Sequence, residues 1–149
     1  MRDLIFRGQR CDNGEWVYGY LVKKHDPLLG IAYSFILVQE MDHSCITGEP
    51  TILRSEMTWF KVDPKSVGEF TGLTDKNGTR IFEGDIVEFR TRTSSFKPLY
   101  VQYHKETAQF VASIRSGVRS YPMDATWEYE VIGNIHDNPE LIGERKDNA

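Results

Sequence analysis

Gly68-Glu69-Phe70-Thr71-Gly72-Leu73-Thr74-Asp75-Lys76-Asn77-Gly78-Thr79-Arg80-Ile81-Phe82-Glu83-Gly84-Asp85-Ile86-Val87-Glu88-Phe89-Arg90 reads as a small β structure whose turns are written as plainly as its strands. Asn77-Gly78 is the dipeptide of a two-residue hairpin turn, because both central positions take φ > 0, which Asn tolerates and Gly accepts at no steric cost. A hairpin is predicted there. Glu83-Gly84-Asp85 predicts a second tight turn, feeding the strand Ile86-Val87-Glu88-Phe89. The glycines of the segment, Gly68, Gly72, Gly78 and Gly84, have no phosphate-loop spacing and open no helix, so they are read as bends in strands and not as a nucleotide cradle.

The same punctuation continues on both sides. Downstream, Ile86–Arg90, Leu99–Tyr103, Ala108–Ile114 and Glu128–Ile135 are strand-like runs separated by polar or Gly/Ser-containing stretches, the spacing of a barrel or sandwich. Only Asp137-Asn138-Pro139-Glu140-Leu141 reads as helical, about one turn, with Asp137 or Asn138 as N-cap and Pro139 at the first helical position. Upstream, a strand over Asp3–Arg7, the turn Asp12-Asn13-Gly14 and the alternating run Glu15–Lys23 predict an N-terminal hairpin. The alternation puts Trp16, Tyr18, Tyr20 and Val22 on one face, which is expected to be core. Ile31–Gln39 and Met57–Val62 are two further strand-like runs, and 42–50 reads as loop between them. Val62-Asp63-Pro64-Lys65-Ser66 interrupts the pattern, since proline disfavours helix at Asp63 and has no N–H for a ladder. The chain is therefore divided into an N-terminal β part, 1–63, a barrel or sandwich over 67–143 and a frayed polar tail, 144–149.

Composition narrows the classes. At 149 residues, one domain or two small ones can bury a sufficient core without staples. Cys11 and Cys45 lack paired spacing, Met1–Arg7 lacks the apolar run of a signal peptide, and no apolar segment reaches the ~20 residues of a membrane helix. A reducing cytoplasm and no membrane partner are expected. With 18 basic and 22 acidic residues the net charge is −4, which selects no polyanion in bulk.

The segment Gly68–Arg90, the block Tyr129-Glu130-Val131-Ile132-Gly133-Asn134-Ile135 with Asp137–Leu141, and the opening Phe6-Arg7-Gly8 with Asp12–Tyr20 together resemble, in order and end to end, the YopX-like proteins of phages and prophages. The resemblance implies a mainly β fold with an SH3-like roll, a phage or prophage origin and residence in the cytoplasm of a bacterial host. It carries no catalytic residue with it.

Several constellations carry chemistry in principle. Asp42-His43-Ser44-Cys45 gathers the residue types of nucleophilic catalysis or metal binding, yet catalytic Cys and His usually come from separate elements, and a zinc site would need Cys11 or His25 folded near. A polar loop is the preferred reading. Glu83, Asp85 and Asp75 suit turn chemistry, with carboxylates accepting backbone N–H bonds, better than acid–base or divalent-cation chemistry. Trp16, Trp59 and Trp127 are read as core in preference to a ligand cleft. One feature rises above this background. From Arg90 to Tyr121 the cations Arg90, Arg92, Lys97, Lys105, Arg115 and Arg119 meet one anion, Glu106. With Val87, Phe89, Leu99, Val101, Phe110, Ala112 and Ile114 inward, Arg90, Tyr100, Gln102, His104 and Arg115 point outward, as on barrels that bind nucleic acid. The competing reading is a solvated sheet face whose charges discourage edge pairing.

The expected protein is thus mainly β, an N-terminal β part plus a C-terminal SH3-like barrel or roll with one short C-terminal helical turn. It is expected to be a non-catalytic interaction or accessory module, with no cofactor and no metal, self-associating through open strand edges and the weakly charged strand Trp16–Val22. The alternative is a nucleic-acid-binding protein using Arg90, Arg92, Tyr100, His104, Arg115 and Arg119. An enzyme using His43 and Cys45 stands third.

Overall fold

The computed structural model describes residues 3–41, 55–90, 98–114 and 119–142, with the side chains of 39–41, 55, 56 and 90 outside that description. The His43–Cys45 cluster, Arg92, Lys97, Arg115 and the tail 144–149 lie outside the described residues. The chain is mainly β and antiparallel, and its helical elements among the described residues are short 3-10 turns. It divides into two compact units, Leu4–Val67 and the chain from Gly68 on together with the N-terminal residues through Asp3.

The first unit holds β1 (Phe6–Gln9), β2 (Trp16–Asp26), β3 (Ile31–Met41) and β4 (Ser55–Val62), side by side in the order β4-β3-β2-β1. The turn expected after β1 is present: the Arg10 N–H donates to the Glu15 carbonyl at 2.9 Å, the Gly14 N–H to the Arg10 carbonyl at 3.0 Å, and Gly14 has φ +73°. β2 turns into β3 around Asp26, whose Oδ1 accepts from the N–H groups of Leu28 and Leu29 at 2.8 and 3.1 Å. The first and last strands then meet. Arg10 bridges Val62, the Cys11 N–H donates to the Lys61 carbonyl at 3.0 Å, and the Asp63 N–H to that of Gln9 at 2.9 Å. Four strands in a row can do this only if the sheet curls strongly, as strand twist allows. The break at Asp63 becomes a 3-10 turn, Pro64–Ser66, capped by the Asp63 side chain accepting from the Lys65 N–H at 3.0 Å.

The curl decides which face is inside, and it is not the predicted one. Ile36 and Val62 are fully buried, on the face that strand pairing gives to Val17, Gly19 and Leu21, whereas Tyr18 and Tyr20 are 48% and 55% exposed. Alternation separates two faces but does not say which becomes concave. Here the larger aromatic side chains occupy the outer one.

The second unit holds the hairpin β5 (Gly68–Thr74) and β6 (Arg80–Phe82), then β7 (Asp85–Arg90), β8 (Leu99–His104), β9 (Gln109–Ser113), β10 (Ser120–Pro122) and β11 (Glu128–Asn134). The last five form a sheet in the order β10-β9-β8-β7-β11. It remains open between β10 and β11, so the expected barrel or roll is a roll that does not close. Strand β10, three residues ending in proline, was not anticipated. Ile81, Val87, Phe89, Leu99, Val101, Ala112 and Tyr129 make one buried cluster, with Leu73, Ile114, Tyr121, Met123 and Val131 packed against it. The helical turn after Asn138 is a 3-10 turn, Pro139–Ile142.

The β5–β6 hairpin exists, but its loop has three residues and not two. The Asp75 N–H donates to the Thr79 carbonyl at 2.8 Å and the Gly78 N–H to the Asp75 carbonyl at 3.0 Å, and within the loop only Gly78, at +82°, has φ > 0. This is a type I turn closed by a left-handed residue, the next commonest hairpin connection. The choice is made by Asp75, which is buried. Its Oδ1 accepts from the N–H groups of Asn77 at 2.8 Å and Thr79 at 2.9 Å, and its Oδ2 from the Val131 N–H of β11 at 3.1 Å. One carboxylate thereby sets the turn and ties the hairpin to the far edge of the sheet. The second turn follows the expectation: Gly84 has φ +89°, and the buried Asp85 accepts from the Phe82 N–H at 2.8 Å.

Two predictions follow from these turns. Gly78→Ala and Gly84→Ala force a side chain into the left-handed region, so each is expected to lower stability by about 1 kcal/mol in urea unfolding; midpoints matching the parent would refute the turn geometry. For Asp75, burial pushes the pKa up, but hydrogen bonds from Val131, Thr79 and Asn77 outweigh it and leave the carboxyl below its usual value. A depressed folded pKa means a stabilisation present above the unfolded value, about 3.9, and lost as pH falls through the folded one. Asp75→Asn sets an amide donor against the Val131 N–H, costing roughly 1–3 kcal/mol near neutrality. The gap between the two proteins should narrow on acidification; a gap independent of pH would show that the charge of Asp75 plays no part.

Candidate functional site

Phe89, near the end of β7 and beside the edge strand β11, organises an aromatic cluster that opens to solvent. Its ring lies 5.9 Å from that of Tyr121, 5.3 Å from Trp127 and 5.8 Å from Tyr129, with interplanar angles of 65°, 88° and 54°. These are edge-to-face and tilted arrangements, in which a positive ring edge meets a negative face. The positions come from three strands and a turn. β7 supplies Phe89, β10 supplies Tyr121, and β11 supplies Tyr129 directly opposite Phe89 in register. Trp127 arrives from the turn before β11, where Asp124 Oδ1 accepts from the Thr126 N–H at 2.7 Å and the Asp124 carbonyl from the Trp127 N–H at 3.2 Å.

Between these rings lies a cleft of about 460 Å³, lined also by Ala112, Met123 and Asp124. That size lies within the range of ligand sites, which are mostly apolar with a few placed polar groups. Gln109 adds an amide to the lining, and two further polar groups, on Tyr129 and Asp124, are held by hydrogen bonds. The Tyr129 hydroxyl accepts from the Asp124 N–H at 3.0 Å, and burial raises its pKa, so the phenol stays protonated. Hydrogen bonds from the backbone and hydroxyl of Thr126 hold the Asp124 carboxyl below its usual range, leaving a fixed negative charge at the rim. Trp127, 39% exposed, leaves part of its ring available. The sequence signal for this site was Trp127 with Tyr121 and Met123 close by, but an exposed aromatic is not distinguishable in sequence from a core one.

The residues singled out for a basic face are spread more thinly. Arg90 ends β7 opposite Glu128, and the next outward pair is Glu88 with Glu130. Three glutamates thus surround that corner, and Lys76 joins them through a 2.8 Å ion pair with Glu130. Tyr100 is half-buried and pairs with Ile86 and Ser113, both fully buried, on a face where Val111 is buried as well. His104 is half-buried, its Nδ1 3.2 Å from the Thr107 hydroxyl and 3.6 Å from Glu106. Arg119 is exposed, its carbonyl accepting from the Ile114 N–H at 3.1 Å. Arg92 and Arg115, needed to complete the face, are outside the described residues.

The three turn carboxylates serve the backbone. Besides Asp75 and Asp85, Glu83 accepts through Oε1 from the Tyr103 N–H at 3.4 Å. Among the described residues no three His, Cys, Asp or Glu side chains are placed to hold a metal ion. No helix among them is long and apolar enough to cross a membrane.

Comparison with known proteins adds the lineage. The fold is similar to that in the crystal structure of protein EF1440 from Enterococcus faecalis, with a TM-score of 0.52 and 22% sequence identity over 96% of this chain and all of that one. No curated protein matches the chain. The model of the YopX protein family matches residues 5–143, essentially the whole of both units, and the chain therefore belongs to the YopX family.

Proposed function

We propose that the protein is a non-catalytic interaction module that holds an apolar anchor side chain of a protein partner in the Phe89–Tyr121–Trp127–Tyr129 cleft. The observation carrying this reading is the cleft itself, an aromatic recess built on three strands and a turn, with one partly exposed tryptophan at its mouth. Rings seated in recesses of this kind are the usual energetic centres of interfaces. A peptide fits better than a small metabolite, because the lining offers few converging hydrogen-bonding groups, while the Asp124 carboxylate suits a basic residue beside the anchor. Strand addition at the β10 edge is disfavoured by Pro122, which presents no N–H. The phage or prophage setting and the bacterial cytoplasm are supported by family resemblance alone.

The nucleic-acid reading of the Arg90–Tyr121 face is the weaker one. Glu88, Glu128 and Glu130 offset the potential that phosphates would need around Arg90.

Peptide display on the intact protein tests the proposal. Selected peptides are expected to share an aromatic or large aliphatic residue next to Lys or Arg, and to lose at least tenfold in affinity to Trp127→Ala, a truncation costing about 2 kcal/mol at an interface centre. The substitution removes a partly exposed ring, so near-parental unfolding is expected. Peptides that bind Trp127→Ala and the parent equally would refute the cleft as the site.

A further inference from the structure

The outer face of the N-terminal sheet carries an aromatic and cationic array distinct from the cleft. Strand pairing puts Tyr20, Leu37 and Trp59 in one row, Val22, Phe35 and Lys61 in the next, and Lys24 with Tyr33 beyond. Tyr18, Tyr20 and Trp59 are each about half exposed, and Trp59 meets Phe35 edge-on at 6.4 Å. Lys24 Nζ lies 5.6 Å from the Phe35 ring and 5.3 Å from that of Trp59, and Lys61 Nζ lies 4.6 Å from the Tyr33 ring. The carboxylate of this face, Asp26, is committed through Oδ1 to the N–H groups of Leu28 and Leu29 at the end of the array.

We propose that this face binds single-stranded nucleic acid. Flat exposed rings offer stacking surfaces to any base, and two exposed ammonium groups among them suit the phosphates between bases. The charge argues for this occupant. A second copy of the chain would bring Lys24 and Lys61 toward their own equivalents, whereas a polyanion neutralises them. Tyr18, Tyr20 and Trp59 sit on strands, so their backbones are in place before binding.

Anisotropy of a fluorescein-labelled oligothymidine, longer than the roughly 4–16 nucleotides covered by a small barrel, tests this on the full chain at stepped salt concentrations. Binding should weaken as salt rises. Trp59→Ala should lose about tenfold or more in affinity and Trp59→Phe should retain most of it, which separates stacking from a folding defect. Lys24→Ser with Lys61→Ser should flatten the log–log salt slope by about 1.4, two contacts at ~0.7 each for a single strand. Trp127→Ala, in the cleft, should leave oligonucleotide binding unchanged, so failure of the peptide reading and failure of this one are distinguishable. Absence of binding at low salt overturns the proposal, as does binding indifferent to Trp59→Ala or abolished by Trp127→Ala. A dimer in light scattering that Trp59→Ala dissolves, without oligonucleotide binding, assigns the face to self-association and overturns it as well.

Discussion

The C-terminal unit depends on a largely buried carboxylate. Asp75 accepts three backbone N–H groups, two inside its own loop and one on β11, more than fifty residues away in sequence. Burying a charge is costly unless it is hydrogen-bonded, and here the partners are main-chain donors, which no side-chain rotamer can withdraw. Removing the acceptor would strand the part-buried Val131 N–H together with two donors of the turn. The single residue therefore fixes the loop conformation and the approach of the hairpin to the sheet edge at the same time. The Lys76–Glu130 ion pair spans the same junction, but both partners are over a third exposed, and such pairs contribute little.

From that junction the rest of the unit can be followed outward. β11 is held at Val131 by Asp75, and two residues earlier it delivers Tyr129 opposite Phe89. The Tyr129 hydroxyl then receives the Asp124 N–H, which positions the turn bearing Trp127. The cleft is thus the end of a chain of hydrogen bonds and ring contacts that begins with a buried aspartate. A recess supported in this way loses little conformational entropy when filled, which favours binding over rearrangement.

How much of this was legible in the sequence varied with the range of the interaction that decides each feature. Gly84 and Gly14 announced their turns because φ > 0 is a local demand. Asn77-Gly78 announced a turn but gave the wrong loop length, since its geometry is chosen by Asp75 and by the tie to Val131, neither of which local propensity contains. The two-sided alternation of β2 was plain, whereas its inward face depended on the curl that brings Arg10 to Val62, a contact between residues more than fifty apart in the chain. β10 was missed because Ser120-Tyr121-Pro122 is short and ends in a residue that discourages strands. The basic count between Arg90 and Tyr121 was real, but charge density in sequence says nothing of Glu128 and Glu130, which arrive opposite β7 from a distant strand.

The N-terminal sheet shows how a protein keeps an apolar face in water. Tyr18, Tyr20 and Trp59 leave aromatic surface exposed on neighbouring strands, an arrangement that invites association. Lys24 and Lys61 are exposed and hold their ammonium groups over the rings of Phe35, Trp59 and Tyr33, at 4.6 to 5.6 Å from the centroids. The attraction of an ammonium for an exposed ring is weak, about 0.5–1 kcal/mol, so the cover can be displaced at modest cost. A neutral protein surface arriving there would have to dehydrate both ammonium groups without replacing their charge. On the proposed reading a polyanion would meet them as counter-charges with the rings beneath, so the same two lysines that cap the face would also select its occupant.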